Sequence, residues 1–233
     1  MPLSAFGIPP IAGVGDDTLT NFNVPPFLYG GEVYSRVGVA SNGYLVIGGG
    51  SGVDNTINNQ NFPDPTRPNN VIAAFWTDLN PAAAGAIRIA TLSGGGDTWL
   101  VVDWQGVREF STAGNTHSFQ IWIGVNGDAH PAEDVSIAYG PNTGSGDNGR
   151  LTVGAENKVG SRGGNVYFNG TGTLPVNGTQ LRVTSSPPVA GGNVTFTYDA
   201  SAKKEGSYTT TANMTSNLTP GVTQDVVPLT VTP

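Results

Sequence analysis

Residues 71–81 read VIAAFWTDLNP, with six apolar positions in a row before the first polar side chain. Laid out as a strand, Val71, Ala73 and Phe75 face one side and Ile72, Ala74 and Trp76 the other, so neither side offers a row for water. That is the pattern of an interior strand covered on both faces. Around it, VGVASNGYLVIG, TWLVVDWQGV and SFQIWIGV repeat the alternation with one polar face. Residues 37–125 are therefore the part around which the rest is arranged, and they call for a double layer of strands.

The approach to this centre is irregular. Residues 1–29 are interrupted by Pro9-Pro10 and Pro25-Pro26, which bars a central strand and leaves an extended lead-in or an edge strand. Alternation begins at Val33, and Ser41-Asn42-Gly43 offers the positive φ values of a two-residue hairpin turn between VYSRVGVA and YLVIGG. Residues 48–70 are polar and without a period. A stretch of that length has two readings, a functional loop or an ordered Ω-type surface loop with no ligand. Further strands are expected over residues 134–140, 151–157, 165–169 and 180–185. No segment combines apolar residues at helical spacing with a cap, so helix content is expected to be very small. About ten short strands separated by turns predict an all-β fold, an antiparallel β-sandwich.

The 34 Gly and 17 Pro supply the punctuation that so many short elements need. Charged residues make up 12%, roughly half the usual share. The net charge of −7 weighs against nucleic acid or an anionic membrane surface as partners, since both require a basic footprint and no basic run is present. With no Cys, neither a disulfide framework nor a thiolate metal site can form. Low Lys content and a Thr/Asn/Gly-rich surface suit a bacterial secreted or cell-surface protein. Residues 1–6 lack the charged start and apolar run of a signal peptide, so export would require a leader that this sequence does not contain. No apolar stretch approaches the ~20 residues of a membrane span.

Composition changes at SSPPVAGG, residues 185–192. Three parts are expected: a β-sandwich domain with its lead-in over residues 1–186, a linker over 187–192, and a partial immunoglobulin-like β segment over 193–233. The last alternates at Val194/Phe196/Tyr198, Tyr208/Thr210/Ala212 and Val227/Leu229/Val231. A free-standing immunoglobulin-like sandwich needs about seven strands. This tail holds about half of one, so its apolar face needs cover from the main domain or from another chain.

The run VGVASNGYLVIGG, NNVIAAFWTDLNP, WLVVDWQGVREF, SFQIWIG, DVSIAYG and LTVGAENKVGSRG resembles the non-catalytic C-terminal β-domain of secreted bacterial subtilisin-like serine proteases. It is also similar to the nidogen-type extracellular domain, in which an SNGY turn, an FW-D strand and an FQ strand come in the same order. The tail, with GSYTTTANMTSN and VVPLTVTP, is similar to the closing strands of bacterial immunoglobulin-like modules. The resemblance implies an accessory, adhesive or structural module whose protease catalytic domain would lie upstream.

Against that stand the chemistries the residues could carry. The two histidines, His117 and His130, sit near no GxSxG nucleophile elbow, which argues against a serine triad. Asp78 and Asp103 could pair as glycosidase carboxylates, but a carboxylate that ends a buried strand by accepting backbone N–H bonds is the commoner arrangement. Asp128, Glu133 and Asp134, with His130 in the same loop, offer hard oxygen ligands for Ca²⁺; the alternative is a solvated loop, since Ca²⁺ takes 6–8 oxygens. No other cofactor is expected. An outer-face platform of Trp122 and Gln120, flanked by Trp99 or Trp104, could stack on sugars, unless those aromatics are covered by a loop such as residues 48–70. The five sequons, at Asn169, Asn177, Asn193, Asn213 and Asn217, are read as chance occurrences. The expected partners are an extracellular protein or polysaccharide surface, or copies of the chain itself joined by strand addition through a terminal segment into a filament.

Overall fold

The computed structural model describes residues 1–125, 133–185, 206–216 and 219–231. The first strands are β1 (Leu19–Tyr29), β2 (Glu32–Ala40), β3 (Tyr44–Ile47), β4 (Val71–Trp76), β5 (Leu79–Asn80), β6 (Ala86–Gly94) and β7 (Asp97–Glu109). They are followed by β8 (Thr116–Gly124), β9 (Val135–Asn142), β10 (Thr152–Glu156), β11 (Gly163–Phe168), β12 (Thr171–Gly172) and β13 (Gln180–Val183). Last come β14 (Gly206–Ser216) and β15 (Thr219–Val231). Helix among the described residues is limited to three 3₁₀ turns, Leu3–Phe6, Gly52–Asp54 and Asp147–Gly149. The fold is the all-β sandwich that the alternation predicts.

Two compact units are present, Met1–Ser185 and Ser186–Pro233. In the first, one antiparallel sheet runs β1-β2-β3-β4-β10-β11-β12, and the other runs β13-β9-β8-β7-β5 with β6 also on β7. In the second unit β14 and β15 form an antiparallel ribbon, paired from Gly206↔Val231 to Ser216↔Thr219. The Val194/Phe196/Tyr198 alternation lies outside the described residues.

The centre of the first sheet is β4, every residue of which is buried. Its two faces do not follow strict alternation. Thr152 pairs with Trp76 and Gly154 with Ala73, so Ala74 and Phe75 together oppose the single residue Val153. This β-bulge turns two consecutive side chains to one side. Phe75 therefore joins Ile72 and Ala74 in the core between the sheets, stacked on Phe119 at 5.7 Å, while Trp76 joins Val71 and Ala73 on the outer face. Period-2 counting puts Phe75 and Trp76 on the opposite faces, because it cannot see the extra residue.

The bulge is held by the β2–β3 turn. Ala40 pairs with Tyr44, so three residues rather than two make this hairpin, and of these only Gly43 has positive φ, at 83°. The Gly43 carbonyl accepts the Phe75 N–H at 3.0 Å, and the Asn42 carbonyl accepts that of Thr77 at 3.2 Å. A Cβ on Gly43 would lie 2.1 Å from the Phe75 carbonyl oxygen.

Residues 48–70 cover the outer face of this same sheet. Phe62 and Tyr44 pack on Trp76, with ring centroids at 6.0 and 4.4 Å. The loop backbone is tied down by buried side chains of the sheet: Tyr44 donates to the Asp54 carbonyl at 2.6 Å, the Trp76 indole to that of Thr56 at 3.0 Å, and Thr152 to that of Gln60 at 2.6 Å. Asp54, almost fully buried, receives both Nε and Nη2 of Arg67. The loop is ordered, and it lies over Tyr44 and Trp76 instead of Trp99 and Trp122. Glu156 anchors it further, its Oε2 accepting the Asp64 N–H at 3.0 Å, while its Oε1 has no partner among the described residues. Burial pushes the Glu156 carboxyl up to about 7.

The lead-in becomes both things expected of it. β1 is an edge strand whose register shifts between Asn23 and Phe27, across Pro25-Pro26. Before it, the Leu3–Phe6 turn caps the outer face of the second sheet: Leu3 is fully buried, and its N–H donates to Asp103 Oδ2 at 2.7 Å. The chain then crosses the sandwich edge, where the Ile11 N–H reaches the Ile87 carbonyl at 2.8 Å.

Two measurements check these assignments. Gly43→Ala combines left-handed strain with a backbone clash, so denaturant unfolding should show a loss of about 3 kcal/mol or more; a loss below about 0.5 kcal/mol contradicts the packing. Glu156 ionises near pH 4.5 in the unfolded chain but near 7 when folded, so its contribution is full below pH 4.5 and is lost as pH rises towards 7. Wild type should thus lose about 2–3 kcal/mol relative to Glu156→Gln between pH 4.5 and pH 8, and an offset constant with pH would count against it.

Candidate functional site

The outer face of the second sheet carries the aromatic pair expected there. Inward-facing Leu100, Val102, Trp104, Phe119, Ile121 and Ile123 fill the core, which leaves Trp99, Val101 and Asp103 of β7 and Gln120 and Trp122 of β8 on the other side. Register pairs Val101 with Trp122 and Asp103 with Gln120. Trp99 and Trp122 are half-buried and meet edge to face, with centroids 6.3 Å apart and planes inclined by 69°. The Trp122 indole N–H donates to Gln120 Oε1 at 3.0 Å, and Gln120 Nε2 donates to the Met1 carbonyl at 3.0 Å. Gln120 therefore orients Trp122 and is itself only 8% exposed. Asp103 is buried beneath the lead-in, and burial raises its pKa against the opposing Leu3 N–H, the Gln120 amide and nearby Arg88.

Of the loop carboxylates offered for Ca²⁺, Glu133 and Asp134 each meet protein groups, while Glu133 Oε1 has no partner among the described residues. Glu133 Oε2 accepts the Gly30 N–H at 2.9 Å and also meets the Ser185 hydroxyl. Asp134 Oδ1 pairs with Arg182 Nη2 at 2.7 Å. Asp128 and His130 lie outside the described residues.

A second acidic group is assembled by the fold alone. Oxygens of Asp16, Asp17 and Asp78 lie within 4.8 Å of one another. Asp17 accepts the Asn42 amide at 2.8 Å, whereas the Asp78 carboxylate accepts no hydrogen bond among the described residues. Burial first, then the charges of Asp17, Asp147 and Asp16, raise Asp78 to about 6, and Asp16 is raised by burial and by Asp17. Three carboxylates could supply part of a divalent-cation shell, with the remaining oxygens of the usual 6–8 coming from elsewhere. The strand-closing role expected of Asp78 belongs to Asn42, whose Oδ1 accepts the Leu79 N–H at 2.8 Å. Asp103 does bind a backbone N–H, that of Leu3, and so stands in a different cluster from Asp78. The GDD sequence gives no hint of the cluster, because its third member is some sixty positions away.

His117 follows Gly114-Asn115-Thr116, a run that reads as a turn, yet it lies within β8 and is fully buried. Its ring stacks on Phe75 at 4.1 Å, Nε2 sits 2.9 Å from Glu109 Oε1, and Nδ1 sits 3.3 Å from Asn142 Oδ1. Asn142 Oδ1 also accepts the Ser118 N–H, and its amide donates to Gly140, so both ring nitrogens face oxygen acceptors. This is a satisfied core histidine with no open side for a substrate.

Removing the Asp78 charge relieves repulsion only where that group is ionised. Asp78→Asn should raise the melting temperature by about 2 °C at pH 8 and by less at pH 5, as followed by circular dichroism; an equal shift at both values would place the carboxylate outside the cluster's field.

A family model described as NIDO related matches residues 7–198. This agrees with the nidogen-type likeness carried by SNGY, FWTD and SFQ, which form the bulge-holding turn, the doubly buried strand and the centre of β8. No curated protein and no solved structure matches the chain. The chain belongs to the NIDO-related family.

Proposed function

We propose that this chain is a non-catalytic extracellular accessory or adhesion module of bacterial origin. In its parent protein it is attached to a secreted subtilisin-like protease and holds that protein to a polysaccharide or protein surface. The observation that carries this reading is the distribution of the four tryptophans. Trp76 and Trp104 are fully buried, and the two left partly exposed, Trp99 and Trp122, stand side by side on one outer sheet face. An aromatic edge-to-face pair with a polar neighbour presents apolar area and a rigid shape at little entropic cost. Because the two indole planes are steeply inclined, a sugar ring would stack on one and abut the other.

Family membership supports the extracellular assignment, and the net charge of −7 weighs against nucleic acid as a partner. No helix among the described residues is long and apolar enough to cross a membrane. The absence of catalysis is supported by the placement of the expected acid–base groups: His117 is sealed in the core, and Asp103 lies beneath Leu3. The role needs no cofactor.

Retention on immobilised polysaccharides and matrix proteins tests the proposal, with Trp122→Ala and Trp99→Ala as variants. Affinity for the retained surface should fall about tenfold in each. Retention unchanged in both variants, or hydrolysis of the offered polymer, would sink it.

A further inference from the structure

The sandwich has several strand ends and edges, and the chain guards them unequally. β1 is broken by Pro25-Pro26 and a register shift, β5 and β12 are two residues long, and β13 has four residues and carries Arg182 paired to Asp134. Short strands, proline and charge are the usual means of preventing edge-to-edge association. β6 has none of them beyond Arg88: residues 89–94 read IATLSG, without proline, charge or a register shift against β7.

The direction of its backbone groups follows from two independent observations. Ile11 donates to the Ile87 carbonyl from the side away from β7. Gly94 and Asp97 close a two-residue turn, and the pair flanking such a turn exchanges hydrogen bonds, so Gly94, Leu92, Ala90 and Arg88 point to β7. Ile87, Ile89, Thr91 and Ser93 therefore point outward. The lead-in takes the first of these, then runs away towards Asp16 and Asp17, leaving Ile89, Thr91 and Ser93 without partners among the described residues.

We propose that this edge is a self-association surface, on which β6 of a second copy of this chain pairs antiparallel about a two-fold axis at Thr91. With that axis Thr91 faces Thr91 and Ile89 faces Ser93, and the three outward N–H and three outward C=O groups of each strand are all used, about six hydrogen bonds. An axis at Ile89 would run into the lead-in at Ile87, and one at Ser93 would run into the turn. On the outer face Ala90 meets Leu92, and Arg88 faces Gly94, so no like charges oppose each other. Leu92 is itself the cross-strand neighbour of Trp99, so pairing makes the two aromatic faces continuous across one sheet. This interface is built independently of the binding role assigned to Trp99 and Trp122, although it would present two such pairs together.

Sedimentation velocity of the full chain from low to high micromolar concentration tests the inference. Wild type should show a dimer fraction that rises with concentration. Thr91→Pro should remain monomeric throughout with its melting curve retained, since the Thr91 N–H makes no bond within its own sheet. Thr91→Lys, which would set two lysines opposite each other, should do the same if proline impairs folding. A wild type that stays monomeric over the whole range overturns the proposal, and so does a dimer that persists in both variants. Loss of surface retention with the dimer intact would bear on Trp99 and Trp122 alone.

Discussion

β4 contributes to two cores at once, and each needs its own cover. Ile72, Ala74 and Phe75 require the second sheet, while Val71, Ala73 and Trp76 require the loop of residues 48–70. The bulge at Ala74 and Phe75 decides which aromatic goes to which core. It depends on a close backbone approach at Gly43 that no side chain would permit. Much of the remaining architecture answers this demand. The loop is long because it must span a whole sheet face, and it is fixed because its carbonyls are the acceptors for Tyr44, Trp76 and Thr152, which would otherwise be buried polar groups without partners.

The second sheet meets its outer face differently. A strap of the first eleven residues lies across Asp103, Gln120 and Arg88, whose polar groups engage Leu3, Met1 and Ile8 respectively. Three long polar side chains on that face are thereby given backbone partners, and the strap's own N–H and C=O groups gain partners in return. Trp99 and Trp122 on the same face remain partly exposed.

Alternation made the strands and their inward sides legible, as at Phe119, Ile121 and Ile123 of β8, because the period of a half-buried strand is written in every second residue. It failed at Trp76, where one inserted residue inverts the faces, and at the β2–β3 turn, where an Asn-Gly pair serves a three-residue connection. The outer-face aromatics were legible for the same reason as the core. What was not legible depends on long-range closure. His117 lies two places after the Gly114-Asn115 pair that suggests a turn, and only its neighbours Glu109, Asn142 and Phe75 make it a core residue. The meeting of Asp16 and Asp17 with Asp78 likewise exists only once the lead-in has crossed the sandwich edge.

That crossing bears on the order in which the molecule can be assembled. Leu3 waits for Asp103, Ile11 for Ile87 and Met1 for Gln120, partners that lie roughly eighty to one hundred and twenty positions further on. Closing such loops costs entropy before any contact repays it, and topologies rich in distant contacts fold slowly. Within this chain, residues 1–11 are therefore among the last to find their places. Until they do, the outer surface of β7 and β8 is bare, an interval in which a chaperone or a neighbouring nascent chain could occupy it.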